Sequence, residues 1–349
     1  LAKAARLLTS SGLGDLGDPR IVAQLAAKHP LRSTEMDGDL SRFGPCEDLN
    51  VELTQTLRSL PKRSGTGPDG MRNEHLTALA RPFEGRRAAK VMEYVNRFAS
   101  RLVNGGMPAW YYWVSTAVRL LALKKTGDVL PGAAPDVRPL ALGGVFLRAI
   151  GRNVAERHKS VFAEQLAPVQ IAVGVSSGGQ QLVVGTRAII EMRQDFVIVK
   201  IDKENAYNRL LRGVTVERLM AIPGMRSYAR YVWLTHVPKS PIVLGGALAP
   251  FSLEEGERQG SPLSCGNYAL ASHHECLILD AELAAHGGGA RFQVDDGYAF
   301  GPPGEVFAAL RRYNENIAAC GPRLLGGRRA GRGHRRWHGR LRRRRRARR

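Results

Sequence analysis

Three carboxylates in this chain are spaced so that one phosphoryl-transfer site could hold them. Asp295 and Asp296 are adjacent within FQVDDGYAFG, Phe292 to Gly301. Asp and Gly tolerate the positive φ of tight turns, so Asp295-Asp296-Gly297 is expected at the tip of a hairpin. Asp202 follows DFVIVKI, an apolar and β-branched run, where a buried strand ends and presents its last side chain to a cleft. Three acids converging without basic neighbours repel one another. Divalent cations are the usual means of holding them, and they suit phosphoryl-transfer chemistry. Plainer readings stand beside this one. With 13 Asp in 349 residues an Asp-Asp pair arises readily by chance, and the pair alone reads as a turn. Asp202-Lys203-Glu204 alone reads as a solvated strand end, with Asp202 capping the next helix.

The elements that must position these groups are legible in outline. Between the acidic segments lies EEGERQGSPLSCGNYALASHHECLILDAEL, a Gly-Gln-Gly-Ser-Pro loop running into a helix, with Ser261 suited to cap it and Pro262 to its first position. His273, His274 and Glu275 are expected on that helix's surface, since adjacent histidines point in different directions. Pro61 to Asp69 reads as a Gly-Pro loop and roughly Glu84 to Asn104 as helix. The run Trp113 to Leu123 leads as a strand to Lys124-Lys125, with Gly127 to Pro135 as a loop between two strands. Gly174 to Gly179 is a turn before a helix from about Gln180 to Arg193. Val306, Leu310, Tyr313 and Ile317 form a helical stripe stopped by Gly321. No internal repeat is evident.

The order of these pieces is more specific than any one of them. Asp202 after a strand, Tyr207 five residues on, then Gln259-Gly260-Ser261-Pro262-Leu263, then Asp295-Asp296 in a hairpin resembles the palm of reverse transcriptases, most closely those of non-LTR retrotransposons. SGTGPDGMRNEHL (Ser64 to Leu76) and VRPLALGGVFLRAIGRNVAERH (Val137 to His158) are similar to the family's opening loop and finger segments, so the resemblance runs from about Ser64 to Cys320. It implies an α+β right-hand polymerase, fingers and palm, with a ferredoxin-like palm sheet and right-handed connections. It implies RNA-directed DNA synthesis from an RNA template, a DNA primer and deoxynucleoside triphosphates. Asp202 and Asp295 would hold two Mg²⁺ ions, with Mn²⁺ as a substitute, and Asp296 would be a supporting acid.

The remaining site residues follow from the same likeness. Tyr207 matches the aromatic that packs under the incoming sugar and rejects a 2′ hydroxyl. Gln259 and Gly260 match the loop touching template and nucleotide, where a missing side chain allows close approach. Arg138 and Lys124 match finger cations on the triphosphate, a role a fork-shaped guanidinium fills well. Read without the likeness, Tyr207 is core and both cations are solvated surface. One departure stands out: the family has Tyr or Phe two residues before the first Asp of the pair, whereas this chain has Gln293 and loses that aromatic packing. An RNA-dependent RNA polymerase shares the paired acids but fits Tyr207 poorly. A decayed retroelement relic that only binds nucleic acid is the alternative function.

Charge divides the chain. Residues 321–349 hold 14 of the 52 basic residues, all Arg, and no acid, while the first 320 hold 38 basic against 31 acidic residues. Such a tail cannot build a core and is expected to be disordered when free. It would bind phosphates without sequence preference and could serve as a nuclear address. The abrupt switch to Arg, Gly, His and Trp also fits a shifted reading frame that removed a thumb. The organisation expected is therefore a helical, polar N-terminal extension at 1–62, fingers and palm at 63–320, and the tail at 321–349. Leu1 in place of Met suggests that the true start is missing. There is no signal peptide and no run of eighteen apolar residues, and 44% hydrophobic content is ordinary, as for an intracellular protein. Cys46, Cys265, Cys276 and Cys320 lack zinc or disulfide spacing and are expected as reduced packing residues.

Overall fold

The computed structural model describes residues 12–33, 35–80, 86–125 and 132–325. They form a mixed α+β structure. Helix α1 (Pro19–Ala27) opens it, started by Asp18, whose carboxylate accepts from the Arg20 backbone N–H, with Pro19 at the first position. Helices α2 (Thr54–Arg58), α3 (Asn73–Leu79), α4 (Arg86–Val103) and α5 (Ala109–Ser115) lead to strands β1 (Val118–Lys124) and β2 (Val137–Gly143). Next come α6 (Val145–Arg157), α7 (Lys159–Leu166) and α8 (Gly178–Met192), then β3 (Val197–Ile201) and β4 (Lys203–Glu204), which are interrupted at Asp202. Helices α9 (Ala206–Arg209), α10 (Arg212–Met220) and α11 (Arg226–His236) precede β5 (Ile242–Leu244) and β6 (Ala247–Leu248). Helices α12 (Ser264–Ala271) and α13 (His273–Ala284), the hairpin β7 (Gly289–Gln293) and β8 (Asp296–Gly301), α14 (Pro303–Ile317) and β9 (Arg323–Leu324) complete the chain.

The strands form three ladders, in the orders β2-β1-β5-β6, β3-β8-β7 and β4-β9. In the second, β8 runs antiparallel to both neighbours, with Ile201 opposite Gly297 and Gln293 opposite Asp296. Because strand side chains alternate, Ala290, Phe292, Ala299 and Ile201 face the core, where Leu279, Leu283, Val306, Tyr313 and Ile317 of α13 and α14 meet them. Phe292 is fully buried, so truncating it to Ala would cost about 3–5 kcal/mol. The opposite face carries Ile198, Lys200, Tyr298 and Phe300. Helix α8 crosses one end of it and leaves a cleft of about 300 Å³.

Several expectations are corrected. Trp113 to Ser115 close helix α5, and the strand begins only at Val118. Helix α12 starts at Ser264, because Ser261 makes a tight turn first: its hydroxyl accepts from the Leu263 N–H and its carbonyl from the Ser264 N–H. Within 1–62, Pro30, Gly44 and Pro45 confine α-helix to α1 and α2 among the described residues. Phe43, Leu49, Val51, Leu53 and Leu57 enter the main helical core, so this stretch is built into the body. Helix α14 ends at Ile317 and a 3₁₀ turn, Ala318–Cys320, follows; Gly321 stops that turn at φ 105°, and a Cβ there would meet the Arg209 carbonyl at 1.8 Å. The chain then pairs Arg323 and Leu324 with Glu204 and Lys203, so the ordered body reaches into the expected tail. Residues 326–349, and most of the loop expected at 127–135, lie outside the described residues. Among the described residues no helix is long and apolar enough to cross a membrane.

Candidate active site

Strand alternation sets the geometry. Val197, Val199 and Ile201 belong to the core, which sends Ile198, Lys200 and then Asp202 to the open face. Lys200 pairs with Tyr298 and Ile201 with Gly297, so one further step sets Asp202 across from Asp296. Asp295 sits beside them in the two-residue turn, Val294-Asp295, that joins β7 to β8, which corrects the expected tip Asp295-Asp296-Gly297: Asp296 and Gly297 pair with Gln293 and Phe292 inside the ladder. The turn is strained: Val294 has φ 59°, a position where two-residue hairpins use glycine and a β-branched side chain is an outlier.

Two buried side chains hold it. The Gln170 carboxamide clamps Val294 from both ends, accepting from its N–H at 2.7 Å and donating to its carbonyl at 3.2 Å. Backbone bonds from Ile171 to the Phe292 carbonyl and from Phe292 to the Val169 carbonyl fix the clamp against β7. Lys203, 4% exposed, donates to the Asp295 carbonyl at 3.1 Å. Neither residue was singled out from the sequence. A lone amide inside the apolar run PVQIAV was the available signal for Gln170. For Lys203 there was none, because a lysine beside an acid reads as solvated.

The carboxyl of Asp295 responds to the other two acids. Burial pushes the Asp295 carboxyl up, and Asp296 and Asp202 push it further, against the pull of Lys203. Asp202 is exposed, and Asp296 pairs with Lys200 at 3.0 Å. Among the described residues no three His, Cys, Asp or Glu side chains are gathered closely enough to hold a metal ion. The donor set is nevertheless all oxygen, and burial and two like charges push the carboxyl of one member, Asp295, up, even though Lys203 offsets part of that. A hard divalent cation such as Mg²⁺ relieves such repulsion, so the residues fit one.

Among the described residues only Tyr207 of the other candidates is tied to the acids, through the charge of Asp295; the rest pack elsewhere. Tyr207, on α9, stacks on buried Tyr268 at 5.0 Å between ring centroids, and its hydroxyl meets Cys265 Sγ at 3.3 Å. Burial holds its phenol protonated, and the charge of Asp295 adds to that. Gln259 donates to Asn208 Oδ1 at 3.2 Å. Gly260, at φ 115°, lies against β2: a Cβ there would sit 3.1 Å from the Ala141 carbonyl and close to Leu140 and Leu142. Arg138 is exposed and alternates onto the same face of β2 as Leu140, so it belongs to the side on which Gly260 rests. Lys124 does not join it. Arg138 is opposite Leu123, whereas Lys124 is opposite buried Val137 and so continues the other face of the ladder.

The Gln259 loop rests on a buried ionic scaffold that the sequence did not reveal. Arg212 donates to the carbonyls of Gly256 and His236, and its backbone N–H donates to Glu255. Arg258 holds the Thr235 carbonyl and the Ser240 hydroxyl, while Glu257 accepts from Asn267 at 2.9 Å and meets His236 Nε2 at 3.2 Å. Burial lowers His236 to about 4, so the ring is neutral at pH 7. Burial works against Glu257 as well, but its bonded partners keep its carboxyl below the usual range. Glu275, expected on a surface, is buried in an ion pair with Arg218 at 2.6 Å, and His273 is buried beside it, leaving only His274 of that trio exposed. The Gln293 amide lies against Gly179 at the start of α8. All four cysteines are free. No protein-family model matches the chain.

Proposed function

We propose that this chain carries the fingers and palm of an RNA-directed DNA polymerase, a reverse transcriptase of non-LTR retrotransposon type. Its substrates are RNA template, DNA primer and deoxynucleoside triphosphates, and its cofactor is Mg²⁺. The observation that carries the reading is the placement of Asp202, at the interruption between β3 and β4, one register step beyond the Ile201–Gly297 pair and so on the Asp296 side, with Asp295 on the adjoining clamped, strained turn. The strand order allows it. With β5 and β6 set aside in the other sheet, and with β4-β9 read as extending the β3-β8-β7 ladder past the interruption at Asp202, the order is compatible with the strand-helix-strand-strand-helix-strand plan of a ferredoxin-like palm.

On this reading Asp202 and Asp295 hold the metal and Asp296 supports them. When bound, Mg²⁺ lowers the pKa of the primer 3′ hydroxyl and offsets charge on the departing pyrophosphate. Tyr207, backed by Tyr268, gives a flat floor for the deoxyribose and no room for a 2′ hydroxyl. Gly260 lets the backbone approach the template–nucleotide pair, and Gln259 is steadied there by Asn208. Arg138 offers its guanidinium to the triphosphate from the neighbouring ladder.

The decayed-relic reading draws on one observation: lysines already compensate two of the acids, Lys200 at the Asp296 carboxylate and Lys203 beneath Asp295. The two readings separate in a primer-extension assay. A polymerase extends the primer, and Asp295→Ala does not. A relic binds template in a salt-dependent way and makes no product.

A further inference from the structure

Lys203 is a buried lysine, 4% exposed, that donates to the backbone of the proposed site. Its ammonium lies 4.9 Å from the ring centroid of Phe292, 5.6 Å from that of Tyr268 and 5.9 Å from that of Tyr313. Its one hydrogen bond among the described residues goes to the Asp295 carbonyl. No carboxylate pairs with it directly. The charges of Asp295 and Asp296 reach it at longer range, as do Cys276 and Cys320 from α13 and the segment after α14. Ring faces recover part of the desolvation cost of a buried cation, and an apolar side chain of the same length would avoid that cost altogether.

We propose that Lys203 is a positioning residue. From below, its ammonium holds the Asp295 carbonyl, and so the direction of the Asp295 carboxylate, while Gln170 holds Val294 from the side; it does so at a net cost to stability. This rests on the polymerase reading for its consequence in catalysis, but not for its consequence in structure. The strained φ of Val294 needs surroundings that over-determine it, and these two side chains supply the bonds that do so. The aromatic walls fix where the ammonium can go. The bond it makes there among the described residues is the one to the Asp295 carbonyl.

The experiment compares the full chain with Lys203→Met, which keeps length and burial, and Lys203→Gln, which keeps an N–H donor without charge. Three quantities are read: thermal unfolding, amide exchange at Val294, and kcat and KM for deoxynucleotide in primer extension. Lys203→Met is expected to raise Tm by about 2–4 °C and to speed Val294 exchange about tenfold or more. It is expected to lower kcat about 10- to 100-fold with KM changed less than about twofold. Lys203→Gln is expected to recover part of the exchange protection. A fall in Tm for Lys203→Met, or unchanged exchange, overturns the proposal. If the parent extends primers and Lys203→Met does so with the same kcat, the positioning role fails while the polymerase reading stands. If the parent makes no product but Lys203→Met still gains stability and loses protection at Val294, the polymerase reading fails while the positioning role stands.

Discussion

Replacing Gln170 with Leu isolates the clamp on the Val294-Asp295 turn. The Gln170 side chain is 2% exposed, and Leu is of similar size, so the substitution removes two hydrogen bonds with little change in packing. Each neutral bond contributes about 1 kcal/mol net, and the Val294 N–H, which loses its 2.7 Å partner inside a half-buried turn, adds about 1–3 kcal/mol if water does not reach it. Burying the apolar Leu side chain returns about 1 kcal/mol. The net loss is about 2–4 kcal/mol, which corresponds to a rise of about 30-fold or more in the population with the turn open. Amide exchange at Val294, read beside urea unfolding of the whole chain, measures it. Exchange should quicken by that factor at Val294 while amides of α6 and α11 shift only by the global change. Equal protection in parent and variant would refute the clamp. Uniform acceleration at every amide would mean that Gln170 serves the core and not the turn.

Two further outcomes test the surroundings of the site. His236 titrates at about 4 in the folded state against an ordinary value of 6.5, so between those pH values the unfolded chain binds the extra proton. Stability is then full above pH 6.5 and falls by up to about 3 kcal/mol as pH drops to 4. Glu257, with its folded value lowered, adds a further loss at still lower pH; denaturant unfolding at pH 7 and pH 5 checks this, and a His236→Gln variant with an unchanged pH slope counts against it. Arg138 is exposed and belongs to no ion pair among the described residues, so Arg138→Ala should leave stability within about 0.5 kcal/mol. It should raise KM for deoxynucleotide about tenfold or more, and an unaltered KM would remove Arg138 from the nucleotide site.

Legibility in the sequence followed the range of the physics involved. Local turn chemistry pointed to a hairpin at Asp295 and Asp296 but misplaced its tip, which is Val294-Asp295 with the positive φ on Val294, while Asp296 and Gly297 already belong to β8; Asp202 follows a β-branched run whose end is indeed a strand end. The stripe Val306, Leu310, Tyr313, Ile317 is a helix because its period is local too. What escaped depends on contacts between distant segments. Gln170 and Val294 are 124 positions apart, and no pattern in either stretch points to the other. Lys203, Arg212, Glu257 and Glu275 are charged residues that read as surface, and only tertiary partners and ring faces make their burial tolerable. Trp113 was drawn into a strand by its aromatic, apolar company, although α5 needs it as part of a last helical turn. Strand β9 was hidden in an Arg-rich context, since its pairing with Lys203 and Glu204 owes nothing to composition.

Primer extension on an RNA template, with Mg²⁺ and deoxynucleotides, by the full chain and by its Asp202→Ala variant tests the central claim most directly. Asp202 is exposed at a strand interruption, so the variant should unfold at the same temperature and bind template as the parent does. The account predicts product from the parent alone. Product from both chains, or from neither while each is folded and bound to template, would contradict it.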